Sequence, residues 1–457
     1  MFGRKPQDSV REEHGDVAPL SRIPAAPDRA ATTRPADLEE GFSANYSLIR
    51  QRLFARMNVS AAVLSGRDKL AAELAGVVGD IANAERLPMT GQEQSRIVAV
   101  LLDDMFGLGP IEPLLNDPTI TDILINGPYQ IYVERRGKLE VTDIAFRDNE
   151  HLSNVAQRIA ASVGRRVDET SPMVDARLAD GSRVNIIMAP LALDGACVSI
   201  RKFSRQKIDI PQMVEFGSLS AAMGRVLEIA ARCRLNIIIS GGTGSGKTTL
   251  LNALSRMIDE RERIVTIEDA AELQLQQPHV VRLETRPASI EGAGQIAQRD
   301  LVKNALRMRP DRIILGETRG EEAFDVLQAM NTGHDGSMTT IHANSPRDGL
   351  VRVENMVIAA NPNLPTRAIR SQIVSAVHLV IQVSRMRDGV RRVLDITEVT
   401  GLEGDVIITQ DLFSFVHEDA EYREQVNGRY VSNRLRPYFL EKARYFGLED
   451  ELMAALG

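Results

Sequence analysis

The glycine-rich run Gly241–Thr249 carries the strongest chemical signal in the sequence. Its residues, GGTGSGKTT, satisfy every position of the pattern G-x-x-x-x-G-K-[ST]. The run follows the short apolar segment 235–240 and precedes a helical pattern at 249–257, which is the context that this motif requires. Glycines let backbone N–H groups converge on phosphate oxygens, and the following helix directs its positive end at the same atoms. The run therefore predicts a site for ATP and Mg²⁺, and a chance glycine-rich turn is the weaker interpretation.

The side chains of this run divide between phosphate and metal. We expect Lys247 to reach the β- and γ-phosphates and the Thr248 hydroxyl to hold Mg²⁺. The other residues predicted to contact the nucleotide are Gly242, Thr243, Gly244, Ser245, Gly246 and Thr249.

Carboxylates end two other apolar runs. Glu317 follows the run 312–315, and a carboxylate there can polarise and orient an attacking water. Gly316 stands where an Asp is usual, so we do not expect direct Mg²⁺ ligation by an Asp at this position. Glu268 and Asp269 follow the run 263–267 and, at the carboxyl end of a parallel strand, are expected to hold Mg²⁺ through water or to position water. Solvated strand-end or helix-capping roles are the simpler alternatives for these acids.

Two histidines, His334 and His342, bracket Asp335 and the segment GSMTTI. A spacing of eight residues is not a zinc pattern. The chemical interpretation is a γ-phosphate sensor or a subunit contact, and the structural alternative is ordinary hydrogen bonding within the fold.

Length, composition and charge limit the class of protein that can hold these residues and the partners that it can bind. The chain has 457 residues, 43% hydrophobic and 26% charged, and this length predicts about three soluble domains. No run approaches the roughly 18 apolar residues of a membrane-spanning helix, and the first residues do not form a secretory signal. Two cysteines exclude a disulfide scaffold and a four-cysteine zinc module. A net charge of −7 with no Trp argues against nucleic acid as a partner.

The pattern along the chain predicts an α/β protein with several units. Alternating β and α segments from 219 onward indicate a mostly parallel sheet, short strands around the turn at 126–128 indicate an α+β domain, and Thr90 with Glu93 predicts a capping box for the last of three helices. The predicted units are a disordered tail at 1–42, a three-helix module at 43–115, an α+β domain at 116–210, a linker at 211–218, an ATPase domain at 219–404 and a C-terminal extension at 405–457.

Four segments in this order resemble the motifs of the type II/IV secretion ATPase superfamily. GGTGSGKTT, TIEDAAEL, RIILGETRG and MNTGHDGSMTTIHANSP are similar to its Walker A, Asp box, atypical Walker B and His box. ITDILINGPYQIYVERRGKL, DARLADGSRVNIIMAP, VSIRKF and the later ITQDLFSFV resemble the CpaF branch, the ATPase of Tad (Flp) pilus assembly. The lack of four cysteines argues against the type II secretion branch, which often carries a zinc module.

The resemblance implies a RecA-like ATPase domain preceded by a PAS-like α+β domain. It implies a cytoplasmic homohexamer that reaches the inner membrane through pilus platform proteins. By this resemblance Glu317 becomes the catalytic glutamate, Glu268 and Asp269 the Asp-box acids, and His334 and His342 the His-box residues. First-domain arginines become candidates to reach phosphate from a neighbouring subunit. The three considered are Arg177, Arg183 and Arg201, of which Arg201 is favoured because it closes a strand beside the linker.

Three functions fit this sequence. The first is a motor that powers pilus assembly, the second a conjugation-type secretion ATPase for DNA or effector export, and the third an ATP-gated scaffold with slow turnover. The acidic charge balance favours the first over the second.

Overall fold

The computed structural model describes residues 40–56, 67–178, 180–203, 207–286, 294–418 and 425–457. The predicted tail at 1–42 lies outside these residues except for its last three, because the first helix begins at Glu40. No helix in the described part of the chain combines the length and the apolar character needed to cross a membrane.

Three helices open the described chain: α1 (Glu40–Arg56), α2 (Arg67–Ala84) and α3 (Gly91–Phe106). Apolar side chains at helical spacing bury a small common core, which includes Leu53, Leu74 and Leu101. The predicted capping box at the start of α3 is confirmed, since the Thr90 hydroxyl accepts from Glu93 N–H and the Glu93 carboxylate accepts from Thr90 N–H.

A six-stranded antiparallel sheet follows, in the order β3-β2-β1-β6-β5-β4. Its strands are β1 (Ile120–Asn126), β2 (Ile131–Arg135), β3 (Lys138–Val141), β4 (Met173–Arg177), β5 (Arg183–Ile187) and β6 (Cys197–Arg201). The short helix α4 (Glu112–Asn116) precedes the sheet. Helix α5 (Asn149–Ser162) packs its apolar face against one face of the sheet. Without the edge strand β3, the strand order is that of a PAS-like domain, which the family resemblance implies.

A nine-stranded mixed sheet forms the largest unit, in the order β15-β14-β13-β12-β7-β11-β10-β8-β9. Its parallel strands are β7 (Ile237–Gly241), β8 (Ile264–Glu268), β9 (Val280–Glu284), β10 (Arg312–Leu315), β11 (Met338–Ile341) and β12 (Leu379–Arg385). The antiparallel strands are β13 (Arg391–Glu403), β14 (Val406–His417) and β15 (Gly428–Ser432). One strand, β11, separates β7 from β10, and this is the strand order of a RecA-like ATPase core.

Helices cover both faces of this sheet, and each face has its own apolar core. In chain order after α6 (Ile210–Glu215) they are α7 (Ala221–Arg232), α8 (Lys247–Ser255), α9 (Gln298–Ala305), α10 (Glu322–Asn331), α11 (Pro346–Ala360), α12 (Thr366–Ala376), α13 (Leu440–Tyr445) and α14 (Glu449–Leu456).

The segments at both ends of the ATPase unit are more regular than the sequence suggested. The predicted linker 211–218 contains most of α6, which Asp209 caps while Pro211 occupies its first turn. The predicted boundary at 404–405 falls in the tight turn between β13 and β14. Leu452 and Leu456 of α14 join the same core as Leu227 of α7, so residues after 405 complete the sheet and its cover.

Candidate active site

Four strands of the large sheet deliver the predicted chemical residues to one edge. The strands β7, β8, β10 and β11 are parallel, so their carboxyl ends lie side by side. The glycine-rich loop leaves β7, Glu268 ends β8, Glu317 follows β10 and His342 follows β11. Residues separated by up to about a hundred positions in sequence therefore meet at one crevice.

The loop Gly242–Gly246 has the backbone form that its glycines allow. Gly244 and Gly246 lie in the left-handed region, with φ of 69° and 98°. Ser245 is buried and its hydroxyl donates to the Gly242 carbonyl at 2.8 Å, while Gly242 and Thr243 are exposed. Helix α8 begins at Lys247 directly after the loop, so the N–H groups of its first turn are available to an anion.

Lys247 is folded back onto its own loop. Its ammonium group donates to the carbonyls of Gly241 and Gly242, at 3.0 and 2.9 Å, and lies 3.4 Å from His342 Nε2. Burial lowers the pKa of Lys247 to about 8, and Glu317 opposes this effect while Arg201 and Arg319 add to it. A phosphate group at this place would supply the negative charge that stabilises the ammonium form.

The backbone on both sides of Glu317 is tied to β11. The Gly316 carbonyl accepts from the Thr340 hydroxyl at 2.7 Å, and Thr318 N–H donates to the Thr340 carbonyl at 2.8 Å. The Glu317 carboxylate lies 3.2 Å from His342 Nε2 and accepts from Arg319 at 2.7 Å. The carboxylate is therefore fixed beside the phosphate-binding loop.

The charge states in this cluster suit a general base. Burial raises the pKa of Glu317, but the hydrogen bond and charge of Arg319, with His342 and Lys247, lower it by more, so the net shift is downward. Burial and the Lys247 charge lower the pKa of His342. At neutral pH the cluster thus contains an ionised Glu317 and a neutral His342.

Gly316, which stands where an Asp is usual, leaves room for the Glu268 side chain. A Cβ atom on Gly316 would lie 2.8 Å from Glu268 Cγ, closer than side-chain contacts allow. Glu268 is 3% exposed, and one of its oxygens accepts from the N–H groups of Glu272 and Leu273, at 2.7 and 3.0 Å. The acid of the neighbouring strand therefore fills the space that an Asp side chain at 316 would need.

The second carboxylate oxygen of Glu268 is buried without a hydrogen-bond partner among the described residues. Burial raises the pKa of Glu268 to about 7, and the two N–H donors only partly oppose this effect. Glu268 lines the same small crevice as Thr248 and Glu317. An orphaned carboxylate oxygen in this position fits a cation or its bound water.

The donor set of this crevice matches magnesium rather than zinc. Among the described residues, no group of three or more His, Cys, Asp or Glu side chains is arranged to hold a metal. Mg²⁺ is usually bound by one or two carboxylates together with waters and substrate phosphates, so it needs no such cage. Thr248, Glu268, Asp269 and Glu317 line one crevice and supply the oxygens that it would use.

The structure does not bring His334 to this cluster. His334 precedes β11 and His342 follows it, so the strand places them at opposite edges of the sheet. His334 Nδ1 lies 3.2 Å from the Ala329 carbonyl at the end of α10. A contact between His334 and a nucleotide in the same chain therefore has no support from its position.

The first-unit arginines face the ATPase unit of their own chain. Arg177 donates to the Ala271 carbonyl at 2.7 Å and pairs with Glu284 at 2.9 Å, and Arg183 lies 3.5 Å from Glu272. Both arginines therefore bind groups of the ATPase unit. Arg201 forms no ion pair with a described residue, and it lines a cleft together with Thr248 and Thr249.

With this geometry established, comparison with known proteins identifies the family. The family model "Type II/IV secretion system protein" matches residues 104–410, about two thirds of the chain. This protein belongs to that family. The match includes the glycine-rich loop, Glu268, Glu317 and His342, and it also covers the PAS-like unit.

Named relatives within the family come from several secretion and transfer systems. A putative conjugal transfer protein of Mycobacterium tuberculosis is 38% identical over 313 residues, covering 67% of this chain and 88% of that protein. The type IV secretion system protein VirB11 of Bartonella quintana is 30% identical over 318 residues, which cover 61% of this chain and 88% of that protein. Among solved structures, the VirB11 ATPase of Brucella suis in complex with sulphate is 30% identical and covers 63% of this chain and 94% of that one, with a TM-score of 0.34.

One polar residue of this site, Arg319, was not predicted from the sequence. Arg319 pairs with Glu317 and lies 3.6 Å from Asp269, so it bridges the acids that follow two different strands. The signal was present, because Arg319 stands two residues after Glu317 in RIILGETRG. Its partnership with Asp269 depends on the pairing of β8 with β10, which local sequence does not specify.

Proposed function

We propose that this protein hydrolyses ATP and that a homohexamer of it uses the released energy to drive a membrane-associated machine. The observation that supports this proposal is the convergence of Lys247, Thr248, Glu268 and Glu317 at one edge of a RecA-like sheet. These residues supply phosphate binding, magnesium binding and a base within a single chain.

In this proposal the loop N–H groups bind the β- and γ-phosphates and Lys247 leaves the Gly241 and Gly242 carbonyls to join them. Thr248 and Glu268 would hold Mg²⁺, directly or through water, and the ion would neutralise phosphate charge. Glu317 orients the attacking water towards the γ-phosphorus. Its ionised form, maintained by Arg319, is the form that can accept a proton or hydrogen bond from that water.

Glu317→Gln tests the catalytic part of this proposal. The amide keeps the size of the side chain but cannot act as a base, so ATP should still bind while turnover falls by about 10²-fold or more. ATP binding and steady-state phosphate release measure the two effects. Glu321→Gln, which changes an exposed carboxylate paired with Arg299, is the matched control. Normal turnover by Glu317→Gln would place the base elsewhere, and Glu268 would be the next residue to change.

The machine that we propose is a pilus assembly system of the Tad type, in which this cytoplasmic ATPase associates with the inner membrane through platform proteins. The resemblance of segments in both units to the CpaF branch supports this assignment. The net charge of −7 also disfavours direct handling of DNA.

A conjugation-type secretion ATPase is the second candidate, because relatives carry the names of conjugal transfer and type IV secretion proteins. Binding assays against a purified pilus platform protein and against duplex DNA separate the two. Salt-resistant binding to the platform protein supports the pilus function, and binding to duplex DNA supports the second. A scaffold role would instead show ATP binding with turnover that the partner does not accelerate.

A further inference from the structure

Glu134 of the PAS-like unit reaches across to the ATPase unit. It lies on β2, and its carboxylate is 3.1 Å from Arg385 Nη1 and 3.5 Å from Arg391 Nη2. The two arginines flank the turn that joins β12 to β13. The Glu134 side chain is only 14% exposed, so solvent screens these two ion pairs less than it would screen pairs on an open surface.

Arg391 connects this ion pair to the phosphate-binding loop. Its Nε donates to the Gly244 carbonyl at 2.8 Å. Its Cδ lies 3.3 Å from the point that a Cβ on Gly246 would occupy, so the side chain packs against the loop as well. Phosphate binding requires the loop N–H groups to converge on the anion. A carbonyl fixed by Arg391 leaves the peptide between Gly244 and Ser245 in one orientation.

The charges around Arg391 explain why it needs Glu134. Burial lowers the pKa of Arg391, and the nearby Arg385 and Arg201 lower it further, while Glu134 and Asp122 oppose this effect. Of these two acids, Glu134 has the larger effect on Arg391 and Asp122 the smaller. Glu134 is therefore the main acid that offsets, at Arg391, the repulsion from Arg385 and Arg201.

We propose that Glu134 is a positioning residue for nucleotide binding: it holds Arg391 against the Gly244 carbonyl, so that the phosphate-binding loop is preorganised while the PAS-like unit is seated on the ATPase unit. This inference rests on the proposed ATP site and adds to it a route by which the first unit acts on the loop.

Glu134→Gln is the direct test, read out as the KM for ATP, the Kd for ADP and kcat. Loss of charge should release Arg391, so KM and Kd should rise by roughly tenfold, as expected for a charge-assisted hydrogen bond. Because Glu134 is not placed at the reacting phosphate, kcat at saturating ATP should change by less than about threefold. Glu140→Gln, on the adjacent strand and paired with Arg135, is the matched control and should keep all three values.

A double-mutant cycle tests the route itself. If Glu134 acts through Arg391, then Glu134→Gln should have little further effect on KM in a chain that already carries Arg391→Gln. Multiplying effects, or an unchanged KM in the single Glu134→Gln variant, would overturn the inference. Glu134→Asp keeps the charge on a shorter side chain and should lie between the wild type and Glu134→Gln. If Glu134→Gln melts several degrees below the wild type, the Asp variant carries the same test.

The unsubstituted protein separates this inference from the proposed function. If it binds no Mg·ATP, the proposed function is overturned. If it binds and hydrolyses ATP while the Glu134 variants match it, only the positioning role is overturned.

Discussion

Glu268 is the residue whose charge depends most on the fold. Its carboxyl group is buried between two strands, one oxygen has no partner among the described residues, and burial raises its pKa to about 7. The usual value for Glu is near 4.5. The folded protein therefore holds this proton more tightly than the unfolded chain does. A cation in the crevice would reverse this balance by favouring the carboxylate form.

Glu268→Gln should accordingly stabilise the nucleotide-free protein in a pH-dependent way. Since the folded pKa is raised, the wild type loses stability as pH rises from about 4.5 through 7, and the amide does not. The difference in free energy of unfolding between the variant and the wild type should therefore grow, in favour of the variant, by up to about 3 kcal/mol as the pH rises from 5 to 8. Urea unfolding at several pH values measures this difference.

The matched control is Glu260→Gln, which removes a carboxylate from an exposed turn. A pH-independent difference between Glu268→Gln and wild type would show that Glu268 titrates normally in the folded protein.

At the scale of elements, the contact between β8 and the end of β10 shapes the site. Glu268 occupies the space beside Gly316. The backbone N–H groups of Glu272 and Leu273 donate to its carboxylate and leave it little freedom to move away. The two strands pair in parallel from Arg312 to Leu315, so Glu268 and Gly316 are held at the same level of the sheet. The site tolerates a larger acid on one strand because the other strand has no side chain there.

Gly316→Ala should therefore disturb both stability and activity. The added methyl group would lie 2.8 Å from Glu268 Cγ, and overpacking of this kind costs about 1–3 kcal/mol. Displacement of Glu268 should also lower ATP turnover. Thermal unfolding and phosphate release measure the two effects. Gly76→Ala, where an added methyl group meets no atom within 4 Å in an exposed helix, is the control and should be neutral or slightly stabilising.

At the scale of the whole molecule, the two units of one chain already form the cleft beside the phosphate-binding loop. Arg183 and Arg201 of the first unit line it with Thr248 of the second. Arginine suits γ-phosphate recognition because its planar group donates two parallel hydrogen bonds and stays charged. The family resemblance makes these arginines candidates to act on a neighbouring subunit, and their position in this cleft makes action within the chain the alternative to test.

Mixing Lys247→Ala chains with Arg201→Ala chains decides between the two arrangements. If Arg201 serves the nucleotide of its own chain, each chain carries one defect at its own site, and mixed assemblies should show no more turnover than the separate variants. If it serves a neighbour, some sites in mixed assemblies combine an intact loop with an intact arginine. Recovery of turnover in assemblies shown to mix would therefore establish action between subunits. Turnover at fixed total protein, across mixing ratios, is the measurement.

Contiguous residues were sufficient to predict the parts of this protein whose chemistry lies within one short segment. The loop Gly241–Thr249 was readable because its function needs specific residue types at fixed spacing after a strand and before a helix. Alternating apolar segments predicted the parallel sheet, and the order of the motifs predicted the family that the comparison then showed.

The way in which distant segments combine depends on the three-dimensional packing of the fold. That Glu268 fills the space at Gly316, that Arg319 joins Glu317 to Asp269, and that Glu134 meets Arg391 all depend on strand order and on how two units pack. The two histidines show the same limit: His342 joins the site and His334 does not, because the strand between them sends them to opposite edges of the sheet. Spacing along the chain specifies local geometry, but contacts across a sheet or between units arise from packing of the whole core, which no short segment encodes.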